Sequence, residues 1–357
     1  MAKQKQEAVQ TAAFEMRLPD TLLEVNNLKM YFPITQGLFA RIKGYTKAAD
    51  DVSLFIRKGE TLGLVGESGC GKTTVGRCIV RAYTPTAGQI LYKTAEDEIV
   101  DLAFLDRKAV QPYRKDVRMI FQDPYSSLNP RMTVFDIISE ALKVNKLMAS
   151  QSEMEDRVEY ILQRVGLRPE YIKRYPHAFS GGERQRIGIA RALATNPRLI
   201  VADEAVSALD VSIRAQILNL MEELQRDFDL TYLFVSHDLS VIRHICNRVV
   251  VMYVGKVVEI ASGLDIYVNP KHPYTEALMS AVPVSNPRAR DKGARIRLPG
   301  EVADPSNPPS GCYFHPRCRY AQERCSAETT ELRDMGNDHF VACHFADELE
   351  LVGVRMA

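Results

Sequence analysis

The sequence predicts an α/β fold: a phosphate-loop core on a largely parallel sheet, an antiparallel β subdomain, a helical subdomain, and a small cysteine-containing C-terminal extension. Three observations carry this reading. Short apolar strands alternate with amphipathic helical stretches, the pattern that puts helices on the faces of a parallel sheet. A glycine-rich loop lies between a buried strand and a helix. Beyond about residue 262 proline becomes frequent, and four of the seven cysteines fall within residues 312–343.

Each element follows in order along the chain. Residues 1–20 lack the apolar core of a secretory signal and are expected to form a mobile arm in a cytoplasmic protein. Leu22–Leu28 and Ala48–Ile56 alternate in apolar character, so they read as antiparallel strands. Lys58-Gly59-Glu60 turns the chain into Thr61–Val65, an uninterrupted apolar run suited to a fully buried strand. A helix is predicted from Lys72 to about Tyr83, closed by Pro85 and Gly88. The spacing of Val134, Ile137, Ile138, Ala141 and Leu142, then of Val158, Ile161, Leu162 and Val165, has the helical period and predicts a helical subdomain over about 123–178. The strand Leu199–Ala202, the helix Ser212–Phe228 and the strand Thr231–Val235 resume the parallel sheet, whose ligands bind at the carboxyl ends of the strands. Residues 21–262 therefore read as one α/β domain and 263–357 as an extension.

Composition narrows the function. A chain of 357 residues suggests about two domains. Lys and Arg total 46 against 45 Asp and Glu, which gives a basic nucleic-acid-binding chain no support. Hydrophobic residues at 46% and charged residues at 25% match a folded globular protein. No apolar run reaches the roughly 18 residues a spanning helix needs.

Gly66-Glu67-Ser68-Gly69-Cys70-Gly71-Lys72-Thr73, followed by Thr74, matches G-x-x-x-x-G-K-[ST] at every fixed position. Glycines let successive backbone N–H groups curl around phosphates, Lys72 adds a positive charge, and Thr73 offers a hydroxyl to Mg²⁺. Downstream, Leu199–Ala202 ends in Asp203-Glu204, two carboxylates where a parallel strand delivers residues to a nucleotide. Asp203 suits the Mg²⁺ shell and Glu204 suits polarising the attacking water.

Phe179-Ser180-Gly181-Gly182-Glu183, with Arg184-Gln185-Arg186 and Ala190-Arg191-Ala192-Leu193, resembles the signature motif of ATP-binding-cassette (ABC) ATPases. The resemblance extends to Gln122 in Phe121-Gln122-Asp123-Pro124, to Ser207-Ala208-Leu209-Asp210 and to His237 in Val235-Ser236-His237-Asp238. It implies that Gln122 reaches Mg²⁺ and the water, that His237 contacts the γ-phosphate and orients Glu204, and that Ser180, Gly181, Gly182 and Glu183 face the nucleotide held by a second cassette. It also implies an adenine-stacking aromatic: Phe32 falls at the matching distance, with Tyr31 and Tyr45 open as alternatives. Two positions depart from the usual pattern, Glu183 in place of Gln and Ala205 in place of Pro.

His272-Pro273-Tyr274-Thr275 and Gly311-Cys312-Tyr313-Phe314-His315-Pro316-Arg317-Cys318 resemble the C-terminal extension of ATPase subunits from bacterial oligopeptide and dipeptide importers. So do Gln122–Arg131 and the stretch from Asp203 to Ser212. This implies a second homologous ATPase, two transmembrane permease subunits, an external solute-binding protein, and a place on the cytoplasmic face of the bacterial inner membrane. A related solute such as nickel is the alternative. A soluble ABC ATPase acting on nucleic acid or ribosomes is disfavoured by the single motif set and balanced charge; a purely regulatory subunit is disfavoured because Lys72 and Glu204 are present.

Cys312, Cys318, Cys325 and Cys343 are spaced C-x₅-C-x₆-C-x₁₇-C in a proline-rich region with little core of its own. They read as four thiolates on one metal centre. The gaps are wide for zinc, and the resemblance to importer ATPases points to a [4Fe–4S] cluster over zinc, with His315, His339 and His344 as alternative ligands.

Overall fold

Two sheets carry the fold in the computed structural model, which describes residues 16, 18–37, 40–123, 125, 127–282 and 295–354. Most of the expected N-terminal arm, together with Pro124, Ser126 and Pro283 of the motif stretches, lies outside them. The smaller sheet has the order β2-β1-β4-β5. It pairs β1 (Thr21–Gln36) antiparallel with β2 (Arg41–Arg57) and with β4 (Ala87–Lys93), and adds the short β5 (Ile99–Asp101).

The larger sheet has eight strands. Its parallel part runs β9 (Arg248–Tyr253), β3 (Thr61–Val65), β8 (Thr231–Val235), β7 (Leu199–Asp203) and β6 (Val117–Ile120). Every residue of β3, β7 and β8 is buried, which is why these segments are apolar throughout rather than alternating. Each buried Val, Leu or Phe there contributes about 1.5–3 kcal/mol relative to exposure. Parallel neighbours point their carboxyl ends the same way. Consequently the residues after β3, β6, β7 and β8 all emerge along one edge.

Helices cover this sheet. α1 (Lys72–Ile79) packs against β7 and β8. It stops short of Tyr83 because Arg81 turns to a left-handed φ of 55°. α2 (Val134–Val144), α3 (Gln151–Arg164) and α4 (Gly181–Leu193) pack on one another. Thr133 and Ser150 cap the first two by accepting from the N–H groups of Asp136 and Glu153, each such cap contributing about 1 kcal/mol. α5 (Val211–Phe228) and α6 (Leu239–Ile245) follow β7 and β8.

The chain after Ser262 rejoins the larger sheet. β10 (Lys256–Ser262) pairs with β9 and with β12 (Phe340–Val341), and β11 (Arg333–Asp334) closes the edge. Between them lie α7 (Gly263–Val268), α8 (Pro273–Ser280) and α9 (Glu323–Ala327). Glu259 on β10 is fully buried, and it accepts from the N–H groups of Lys271 and His272 at 2.7 and 3.0 Å, while His339 Nε2 lies 2.7 Å from it. One carboxylate thus ties both limbs of the extension to the sheet. Phe314 and Tyr274 join the same apolar core as Val65 and Phe234.

Candidate functional site

The glycine-rich loop follows β3 directly. A Cβ on Gly66 (φ 151°) would meet the Met252 carbonyl oxygen at 2.2 Å, and one on Gly71 (φ 103°) would meet that of Ala48 at 1.9 Å. Only glycine lets the backbone pass so close to β9 and β2. Lys72 is 5% exposed, and its Nζ donates to the carbonyls of Gly66 and Glu67, both at 2.9 Å. The ammonium is thereby fixed against its own loop.

Asp203, at the end of β7, is 2% exposed and accepts from the Thr73 hydroxyl at 2.8 Å. Burial raises its carboxyl above the usual range, opposed by the Thr73 bond. A buried carboxylate beside a hydroxyl is a hard-oxygen donor set of the kind Mg²⁺ takes, and a cation there would relieve the cost of burying the charge.

Glu204 has a left-handed φ of 47°, unusual for a residue with a side chain and held here by its N–H donating to the Val235 carbonyl at 3.0 Å. This kink turns its carboxylate toward Gln122, whose Nε2 donates to Oε2 at 2.7 Å, and toward His237, whose Nδ1 lies 3.1 Å from Oε1. Gln122 comes from the end of β6 and His237 from the end of β8. A cleft of about 510 Å³ is lined by Ser68, Gly69, Gly71, Lys72, Thr73 and Thr74 together with Gln122, Glu204 and His237. The strand ends therefore bring the loop, the acidic pair, the glutamine and the histidine to one place.

Other expected residues stand apart from this cleft. Ser180 caps α4 in a reciprocal box: its hydroxyl accepts from the Glu183 N–H, while Glu183 Oε2 accepts from the Ser180 N–H at 2.9 Å and hydroxyl at 2.8 Å. The backbone N–H of Ser180 first, then its hydroxyl, lowers the Glu183 carboxyl pKa. Gly182 has no room for a side chain, since a Cβ would meet Ile213 at 2.7 Å. Neither these residues nor Gly181 line the cleft of their own chain. Phe32 packs edge-on against Tyr83 at 5.6 Å, the Tyr31 hydroxyl donates to Asp50, and Tyr45 is exposed.

The ABC transporter family matches residues 49–207, and the oligopeptide/dipeptide transporter C-terminal region matches residues 258–325. The oligopeptide transport ATP-binding protein AppF of Bacillus subtilis is 54% identical over 325 residues, covering 91% of this chain and 97% of its own. The chain belongs to the ABC transporter ATP-binding family. The oligopeptide transport ATP-binding protein OppF of Haemophilus influenzae is 46% identical, with 91% and 97% covered. Among solved structures, the dimeric structure of MJ0796, a bacterial ABC transporter cassette, superposes with a TM-score of 0.59 at 27% identity, covering 68% of this chain and 98% of that one. The protein is thus an ABC ATPase coupled to transport, and its family is one of ATP and Mg²⁺ binding.

The metal centre expected in the extension of this ABC ATPase is corrected. Cys312, Cys318, Cys325 and Cys343 do line one small cavity. Yet among the described residues no group of three or more His, Cys, Asp or Glu side chains is placed to hold a metal ion, and the similar transport proteins are named for ATP binding. The physical reason lies in the walls, which include Pro273, Phe314, Phe345 and Leu349. Burial there raises the Cys312 thiol and pushes Cys318 up to about 11 and Cys343 up to about 12, so these thiols stay protonated in this fold. Neither iron–sulfur nor zinc is supported. The four residues pack as small free thiols, Cys325 buried and the other three partly so, and His339 is engaged with Glu259 instead.

The extension also supplies contacts that sequence reasoning missed. Arg317 forks onto the Glu67 carboxylate of the phosphate loop, and the Tyr274 hydroxyl accepts from the Glu67 N–H at 2.9 Å. Nothing in the sequence singled out Arg317, which stands among other charged and polar residues, His315 and Arg319 included.

Proposed function

We propose that this ABC ATPase binds ATP with Mg²⁺ in the cleft, hydrolyses it with Glu204 as general base, and uses the cycle to power import of di- or oligopeptides. The observation that carries this is the convergence of Lys72, Asp203, Glu204, Gln122 and His237 from four parallel strand ends. Thr73, Gln122 and Asp203 would hold Mg²⁺, which when bound supplies neutralisation of the charge between the phosphates. Lys72 exchanges its loop carbonyls for phosphate oxygens, and the loop amides of Ser68 to Thr74 cradle them. Glu204 takes the proton of the attacking water, once its oxygens turn from Gln122 and His237, which then orient that water and the γ-phosphate. Phe32 is the proposed adenine platform.

The signature residues Ser180, Gly181, Gly182 and Glu183 lie away from their own cleft, which supports a site completed by a second homologous cassette; the proposed pair is a heterodimer. A helix N-terminus capped by Ser180 suits an anion there. The junction between the helical subdomain and the sheet edge at β6 offers a seat for a permease: a groove of about 220 Å³ lined by Glu140 from the subdomain and by Arg114, Arg118 and Arg191 from outside it. Burial depresses the pKa of Arg118 and Arg191, and a partner segment carrying acceptors would offset that cost. Two permease subunits and an external binding protein complete the transporter, with this chain peripheral on the cytoplasmic face. No described helix is long and apolar enough to cross a membrane.

Two experiments test this. Tagged protein drawn from detergent-solubilised membranes should bring down permease subunits, and the assembly in vesicles should hydrolyse ATP faster when peptide-loaded binding protein is added. Recovery of ribosomes or DNA instead, or stimulation by nickel alone, would reject peptide import. Mixing Lys72→Ala with Ser180→Arg chains, or placing these lesions in the two partners of a heterodimer, should leave one composite site intact and recover activity.

A further inference from the structure

We propose that Arg317 of the extension is a positioning residue for nucleotide binding, which neutralises Glu67 inside the phosphate loop so that the loop can accept a triphosphate. This rests on the reading of the cleft as the ATP site. Glu67 is the second residue of the loop, and a carboxylate is a poor neighbour for an anion: like charges in one site oppose each other's ionised forms. Its side chain is 29% exposed, so water screens it only in part. At an effective dielectric of about 20, one unit charge about 10 Å from another changes affinity roughly tenfold.

The neutralising charge comes from 250 residues downstream. Arg317 is buried, and its Nη1 and Nη2 donate to Glu67 Oε2 and Oε1 at 2.8 and 3.3 Å, a two-pronged pairing that fixes direction as well as charge. Its Nε donates to the Pro299 carbonyl at 3.3 Å, and Nη1 reaches the Tyr253 hydroxyl at 3.5 Å. The guanidinium therefore has little freedom to leave. Tyr274 adds a second hold, taking the Glu67 N–H at 2.9 Å. The side chain and the backbone N–H of Glu67 are thus turned toward the extension, and the cradle for phosphate begins at Ser68. Tyr253, Tyr274 and Phe314 support this arrangement from below, with ring centroids 4.8–5.3 Å apart.

The consequence is on affinity more than on chemistry, because Glu67 is not among the residues lining the cleft. In the full chain, titrated with a fluorescent ATP analogue and Mg²⁺, Arg317→Ala should bind about tenfold more weakly, while the assembled transporter carrying it keeps its turnover at saturating ATP. Arg317→Lys, which keeps the charge and loses the fork, should recover most of the affinity. The decisive variant combines Arg317→Ala with Glu67→Gln: removing the carboxylate as well should restore binding, and Glu67→Gln alone should bind more tightly than the parent, a gain that no purely structural role of Arg317 would give. Parent-like binding by Arg317→Ala, or a double variant no tighter than Arg317→Ala, overturns the proposal. If Arg317→Ala does not fold, Glu67→Gln alone decides, since the freed guanidinium should then tighten binding and binding no tighter than the parent overturns it. A Lys72→Ala control separates the two levels: undiminished nucleotide binding there rejects the cleft as the ATP site, whatever Arg317 does.

Discussion

Two places in this molecule gather residues that are far apart in sequence, the phosphate cleft and the cavity under the C-terminal extension. The cleft is open and lined by donors and acceptors: an ammonium held on its own loop, a carboxylate with a hydroxyl partner, and a glutamate bridged by Gln122 and His237. The cavity brings four thiols together with Phe314, Pro273 and Leu349, and burial holds three of those thiols above the ordinary cysteine range. Convergence is common to both. What separates a binding site from a packed cluster is whether the converging groups are left in a state that a ligand can use.

Four substitutions sharpen or break that contrast. Phe314→Ala empties the support of the extension and should cost about 3–5 kcal/mol of stability in urea unfolding, with weaker ATP binding because Tyr253 and Tyr274, which hold Arg317 and the Glu67 N–H, pack on it. A loss below 1 kcal/mol would show that the cavity region is not a packed core. Lys72→Ala should do the opposite, lowering turnover by about 10²–10³-fold, as loss of one charge-stabilising donor does, with melting temperature near the parent.

His272 tests the extension by pH. It is fully buried, and desolvation pushes its pKa from 6.5 down to about 3, so it stays neutral in the folded chain while its unfolded form gains a proton below about pH 6.5. The stability it secures is therefore complete above pH 6.5 and lost as pH falls toward 3. Between pH 7 and 5 the parent should lose about 2 kcal/mol more than His272→Asn, which keeps an acceptor for the Tyr274 N–H without titrating there. Equal slopes would mean that His272 is charged in the fold. The smallest effect is expected at Ser180→Ala, which removes the cap of α4 and should cost about 1 kcal/mol by thermal unfolding; an unchanged melting temperature would remove that cap from the account.

What could be read from the sequence follows the same physics. The strands Thr61–Val65 and Thr231–Val235 were legible to the residue, because burial on both faces leaves an uninterrupted apolar run bounded by turns. The phosphate loop was legible because its glycines and Lys72 are constrained by local backbone geometry. Asp203-Glu204 followed from its place at a strand end, although the left-handed turn at Glu204 did not show in residue types. The periodicity carries helix α1 on to Tyr83, beyond its end at Ile79, since nothing in it marks Arg81 as the break. The clustering of the cysteines was legible from spacing, and their protonation was not, because it depends on walls contributed by Pro273 and Leu349 from either side of them. The Arg317–Glu67 pair lay beyond reach for the same reason: its partners are 250 residues apart and either alone reads as an ordinary surface charge.

The measurement closest to the central claim is ATP turnover and nucleotide occupancy of Glu204→Gln in the assembled transporter. Gln keeps the shape of the side chain and cannot take a proton. The variant should bind ATP with Mg²⁺ as the parent does, hydrolyse it about 10²–10⁴-fold more slowly, as loss of a positioned base requires, and accumulate the closed pair of cassettes. Turnover equal to the parent, with nucleotide bound, would contradict Glu204 as the base and with it the reading of this cleft as the place where transport is powered.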